Sequence, residues 1–219
     1  EPARELYGAP ALEVAGHTYQ RVLARAGYRY DPSLAHAARE IAHFYLDTRR
    51  LAPSGVLAFV LDAAGAAFWG VRQTVVVTTD RSNHAVEAAL PELKGQTLGW
   101  RMGIGELWVD ETPPLRIIVG LSAQQMIRLD PIPRHYEAGE QIELSGQIIS
   151  NHTDLFALAM GPAGTVETLD LKTNAGRFSG RLETTQGEWV VELIGTNEAG
   201  PFPLAQLTLY VETSIPNGF

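Results

Sequence analysis

A chain of 219 residues, 45% hydrophobic and 19% charged, is globular in composition and long enough for one large domain or two ordinary ones. It has no cysteine, which excludes disulfides, thiolate metal sites and cysteine nucleophiles together. The net charge of −8 is uneven: residues 1–122 carry 12 Lys/Arg against 13 Asp/Glu, residues 123–219 only 5 against 12, so no basic stripe exists to track phosphates and no nucleic-acid partner is expected.

Residues 1–16 are mixed in character, punctuated by Gly8, Pro10 and Gly16. A short helix is predicted over His17–Ala26, stopped by Gly27 in the left-handed position that commonly ends helices. The N-terminal half is organised around the next stretch, Asp31 to Thr48. Asp31 suits an N-cap because its carboxylate accepts from free backbone N–H groups, and Pro32 suits the first helical position, where a missing N–H costs nothing. Leu34, Ala38, Ile41, Ala42 and Tyr45 recur at helical spacing as one apolar face. His36, Glu40, His43 and Asp47 form a second stripe, offset from the first.

After a turn at Leu51–Gly55, Val56–Ala64 reads as a second helix, and the β-branched run Gln73–Thr79 as a buried strand. Ser82 is a fair N-cap for a third helix, Asn83 to Leu90, with Pro91 near its end. Trp100–Val109 and Leu115–Leu121 read as strands joined at Asp110–Pro114. Residues 1–122 are therefore expected to form an α+β domain in which helices cover a small sheet.

From Ser122 the texture is all-β. Strands are predicted at Met126–Leu129, Gln141–Ile149, Leu155–Met160, Val166–Leu171, Phe178–Glu183, Trp189–Ile194 and Leu204–Val211, separated by Gly, Pro, Asn and Asp signals at sandwich spacing. Residues 123–219 are expected to be an immunoglobulin-like β-sandwich. No apolar run approaches the roughly 18–20 residues of a membrane span.

Several pieces of residues 17–122 resemble the bacterial branch of the CAP superfamily, the cysteine-rich secretory and pathogenesis-related proteins. YDPSLAHAAREIAHFY is similar to that family's opening helix, PSGVLAFVLDAAG to its short second helix, and MGIGELWVDETPPLRIIVGL to its closing hairpin, while VRQTVVV stands where the family has Gly-Glu-Asn-Ile. The resemblance implies a CAP-like α/β/α sandwich and a cleft in which two histidines and two acids can hold a metal. This sequence departs from that pattern. Arg49-Arg50-Leu51 offers no first histidine, Gln73 stands at the first acid, and His84 is the match for the second histidine. The cleft is therefore expected to be degenerate.

The candidate ligand-binding residues are His84, His43, His36, Glu40 and Gln73. His36 and His43 lie seven residues apart, about 10.5 Å along a helix axis, too far for one ion without outside ligands. No catalytic residue, metal or cofactor is expected. The function read from the sequence is a non-catalytic, exported, periplasmic or cell-surface binding or scaffold protein, its partner a protein or a cell-envelope component. The alternatives are a metal-assisted hydrolase using His84 with His36 or His43, and a binder of a lipid or cell-wall fragment.

Overall fold

The structure, a computed structural model, describes residues 6–7, 17–90 and 99–212. Gly8, Pro10, Gly16 and Pro91 lie outside the described residues. In chain order the elements are β1 (Leu6–Tyr7), α1 (His17–Arg25), β2 (Arg29–Tyr30), α2 (Pro32–Thr48), α3 (Ser54–Ala63), β3 (Arg72–Thr78), α4 (His84–Ala89), β4 (Trp100–Val109) and β5 (Leu115–Gln124). There follow β6 (Ile127–Leu129), β7 (Ile132–Pro133), β8 (His135–Glu137), β9 (Gln141–Ile148), β10 (Thr153–Met160), β11 (Val166–Asp170), β12 (Lys172–Asn174), β13 (Arg177–Glu183), β14 (Gly187–Asn197) and β15 (Gly200–Glu212).

The described chain divides into two compact units. One holds the helices and β2 to β5; the other holds β1, Ala67–Trp69 and everything from Gln125.

In the first unit the sheet order is β2-β4-β5-β3, with β4 and β5 a long antiparallel hairpin, β3 antiparallel to β5 and β2 parallel to β4. The α2 caps form as the sequence predicts at the N-terminus: Asp31 Oδ1 accepts from the N–H groups of Ser33 (3.0 Å) and Leu34 (3.1 Å). At the other end Arg49 takes the left-handed conformation, φ 57°, and its N–H returns to Tyr45 O at 2.7 Å. The helix buries Leu34, Ala37, Ala38, Ile41 and Ala42. It lies backbone-close on β4, because Gly103 and Gly105 have no side chains there. A Cβ on Gly103 would overlap the backbone of Leu34 and Ala35, and one on Gly105 that of Ala38 and Arg39. Strand alternation turns Met102 and Ile104 to the opposite face, where with Ile118 they pack against Val22 and Leu23 of α1, Tyr28, and Val86 of α4.

The second unit has a five-stranded sheet, β11-β10-β14-β15-β8, a four-stranded sheet, β12-β13-β9-β6, and the ribbon β1-β7. One apolar cluster joins the two sheets, drawing Ala157, Trp189, Val191, Leu193 and Leu207 from the first and Ile142, Leu144, Phe178 and Leu182 from the second. The period-2 pattern supplies these contacts: in β9 Ile142 and Leu144 are buried between exposed Gln141 and Glu143. β8 runs parallel to β15, and β1 delivers Tyr7 into the same cluster.

The expected fold class is corrected. Strands make up 51% and helices 20%, with four helices among the described residues and several sheets, so the chain is mostly β and not an α+β CAP-like α/β/α sandwich. The resemblance rested on one amphipathic helix and the order of short motifs. The other helices are short, six to ten residues, whereas β4 and β5 have ten residues each and β15 thirteen. β3 is also less buried than its composition suggests. It ends its sheet among the described residues, and Val77 is 42% exposed.

Candidate functional site

The sheet face opposite α2 carries the densest polar cluster of the first unit. Arg116 on β5 faces Trp108 across the hairpin, with Glu106 two positions along β4 on the same side. The Arg116 guanidinium is only 3% exposed, and each of its five N–H donors has an acceptor. Nε donates to Glu106 Oε1 (2.9 Å) and Nη2 to Glu106 Oε2 (3.2 Å) and to the Tyr19 hydroxyl (2.9 Å). Nη1 donates to the carbonyls of Ser82 (2.7 Å) and Asp80 (3.4 Å). Tyr19, from α1, donates its own proton to Glu106. The Trp108 ring stacks on the guanidinium at 5.4 Å.

The electrostatics follow from this closure. Burial alone would raise the Glu106 carboxyl, but bonds from Arg116 and Tyr19 and the Arg116 charge outweigh it and hold the group below the ordinary range. Burial and the bond to Glu106 push the Tyr19 phenol up to about 12. Bonds to Glu106 and Tyr19 likewise overcome the burial of Arg116 and raise it, fixing the guanidinium as a cation. The triad is thus a phenol, a carboxylate and a guanidinium saturated by one another.

Arg116 also fixes the approach to α4 through the carbonyls of Asp80 and Ser82. Asp80 in turn accepts from the Ser82 N–H and hydroxyl, both at 2.7 Å, and these bonds hold its carboxyl low. The Ser82 hydroxyl accepts from the His84 N–H at 3.2 Å, while Asn83, the residue at the cap position, makes no side-chain cap bond. Next to α4 the sheet leaves an apolar recess of about 240 Å³, open mouth included, lined by Val76, Val86, Leu90, Met102, Ile104 and Ile118. Gly120 makes room for the Met102 methyl there.

The sequence candidates do not converge. His84 is 87% exposed, with Nδ1 3.4 Å from Glu87. His36, Glu40 and His43 lie on α2, on the other sheet face, where Glu40 and His43 are exposed and His36 is half-buried. Gln73 clasps the Ala52 backbone: Nε2 donates to its carbonyl at 2.6 Å and Oε1 accepts its N–H at 3.2 Å. Among the described residues no three His, Asp or Glu side chains are grouped so as to hold a metal. Sequence reasoning missed Arg116, Glu106 and Tyr19. The available signal was a charged residue within each of two apolar strands, Arg116 in LRIIVGL and Glu106 in WRMGIGELWV.

No family model matches the chain, and no curated protein matches it. Among solved structures, a DUF4785 family protein from Legionella pneumophila aligns with a TM-score of 0.31 and 14% identity, covering 45% of this chain and 36% of that chain. So slight a likeness carries no argument about fold or activity. No helix among the described residues is long and apolar enough to cross a membrane.

Proposed function

We propose that this chain is a non-catalytic binding or scaffold protein, exported or held at a bacterial cell surface, with a protein or an envelope component as partner. One observation carries the non-catalytic part. The cluster best placed to do chemistry spends all five Arg116 donors on neighbours within the unit, so no group there is poised to bind or activate a substrate. Such a network reads as a clamp joining α1, the β3–α4 segment and the β4–β5 hairpin. The placement outside the cytoplasm rests on the sequence reading alone. The apolar recess beside α4 supports the small-ligand reading less well, because it is smaller than the roughly 300–1,000 Å³ of ordinary ligand pockets.

Two measurements on the full chain test the reading. Saturable co-sedimentation with purified bacterial envelope fractions is expected, and calorimetric titration of chelator-treated protein with zinc should give only heat of dilution. Tight one-to-one zinc binding abolished by His84→Ala would replace this proposal with the metal-assisted hydrolase. Failure to bind any envelope fraction would remove the envelope component as partner.

A further inference from the structure

In the second unit the residues between β9 and β10 bring a histidine against the end of the β14–β15 hairpin. Gly195 is paired with Phe202 across that hairpin, and the His152 ring stacks on Phe202 with centroids 6.2 Å apart. Gly195 leaves the space for it, since a Cβ there would lie 2.8 Å from His152 Cβ. The ring bridges two polar partners. Nδ1 lies 2.8 Å from Ser150 Oγ, and Nε2 lies 3.0 Å from Asn197 Nδ2.

The Asn197 amide decides which nitrogen carries the proton. Its Oδ1 accepts from the Ala199 N–H at 2.8 Å, so its NH₂ is the end turned to the imidazole. An amide NH₂ only donates, and Nε2 must therefore accept with its lone pair. The proton of the neutral ring is then on Nδ1, donated to Ser150 Oγ. This arrangement is not a serine nucleophile with its base, because the basic lone pair points away from the hydroxyl.

We propose that His152 is a pH-sensitive latch: neutral, with its proton on Nδ1, it holds residues 150–152 on the β14–β15 hairpin end, and protonation at Nε2 releases them. A solvent proton on Nε2 would set N–H against N–H. Asn197 cannot turn its oxygen to the ring without giving up the Ala199 N–H. The groups touching the ring from β14 and β15, namely Gly195, Asn197 and Phe202, are uncharged, as is Ser150 on its own segment. The nearest ionisable residues in sequence are Asp154, past the loop, and Glu198, in the turn. Burial alone lowers the affinity of this imidazole for a proton, with no neighbouring charge contributing.

The test is nitrogen-15 NMR of the histidine rings in the full chain, with His152 assigned by loss of its signals in His152→Gln. The expected result is the Nδ1–H tautomer, a midpoint below the ordinary histidine value of about 6.5, and faster amide exchange of residues 150–152 once pH falls through that midpoint, with the Ile149 amide, bonded to Met126 O, unchanged. Asn197→Asp, which offers a carboxylate acceptor to Nε2–H, should raise the midpoint and keep the segment protected in acid. An Nε2–H tautomer in the unaltered protein, or a midpoint that Asn197→Asp leaves in place, would overturn the proposal. The tautomer needs no variant to be read.

Discussion

Arg116 and Glu106 meet in a two-pronged ion pair, Nε to Oε1 at 2.9 Å and Nη2 to Oε2 at 3.2 Å, on a guanidinium withdrawn from solvent. A buried pair of this kind is weak grounds for net stability, but its one-sided removal is costly because the surviving charge stays buried. Glu106→Ala should therefore destabilise the first unit by about 3 kcal/mol, the lower end of the usual range because Glu106 is 23% exposed. Replacing both residues with apolar ones of similar volume should cost much less. Urea denaturation of the two variants beside the unaltered chain measures the difference. Equal losses for the single and double replacements would refute the clamp.

The same cluster should give stability a signature at both ends of the pH scale. Glu106 has a depressed pKa when folded, so its contribution is present above the unfolded carboxylate value of about 4.3 and is lost as pH falls through the folded value. Tyr19 is raised to about 12 when folded. Its contribution is complete below the unfolded phenol value of about 10 and is lost as pH rises toward the folded one. Melting temperatures across pH should show a shallower acid limb for Glu106→Gln. Burial and the Glu140 charge push the Tyr136 phenol up to about 12 as well, so ultraviolet titration should show late phenols and one fewer of them in Tyr19→Phe.

Two glycine replacements should have opposite signs. Gly105→Ala places a methyl inside the α2 backbone and should cost about 1–3 kcal/mol or prevent folding, since neither strand nor helix can give way locally. Gly55→Ala, within α3 and with nothing inside 4 Å of the added methyl, should be neutral or stabilise by up to about 1 kcal/mol. Thermal melts of the pair decide whether close helix–sheet contact is the constraint.

In the second unit, Trp189 is 4% exposed, donates from Nε1 to Thr185 O at 2.8 Å, and lies over Gly161. Trp189→Ala should cost about 3–5 kcal/mol. Tyr7→Phe tests a smaller link. The Tyr7 hydroxyl accepts from Thr208 N–H at 3.0 Å and donates to Thr208 C=O at 3.2 Å, so its loss strips both backbone groups of a partner and should cost about 1–3 kcal/mol. Denaturant midpoints of the two variants check both values.

Local elements were legible where one physical rule governed them. Asp31-Pro32 announced the α2 start, and Gly27 ended α1 with φ 89°. The alternation around Trp189, Val191 and Leu193 identified the inward face of β14. What the sequence hid was non-local. Tyr7 reaches Thr208 from 201 residues away, and Pro133 and Glu137 sit in two- and three-residue strands without any periodic pattern. The Arg116 cluster was hidden for the same reason, since Tyr19 and Glu106 are 87 residues apart and become partners only once the hairpin and α1 are placed. The expected α/β/α layering failed because local motifs in the right order do not determine how much of the chain becomes sheet.

The strand Leu6–Tyr7 pairs with Pro133 and Ile132, and its tyrosine finds its last partner at Thr208. Chains are made from the N-terminus, so Tyr7 leaves the ribosome 201 residues ahead of Thr208 and must wait while they are made. Meanwhile the helices and β2 to β5 emerge with all their sheet partners before residue 125. The β-rich unit can close only once β15 has been made, by recapturing a strand made long before it. That long-range closure makes it the slower-folding half, and the one whose unpaired strand edges stay exposed longest to neighbouring chains.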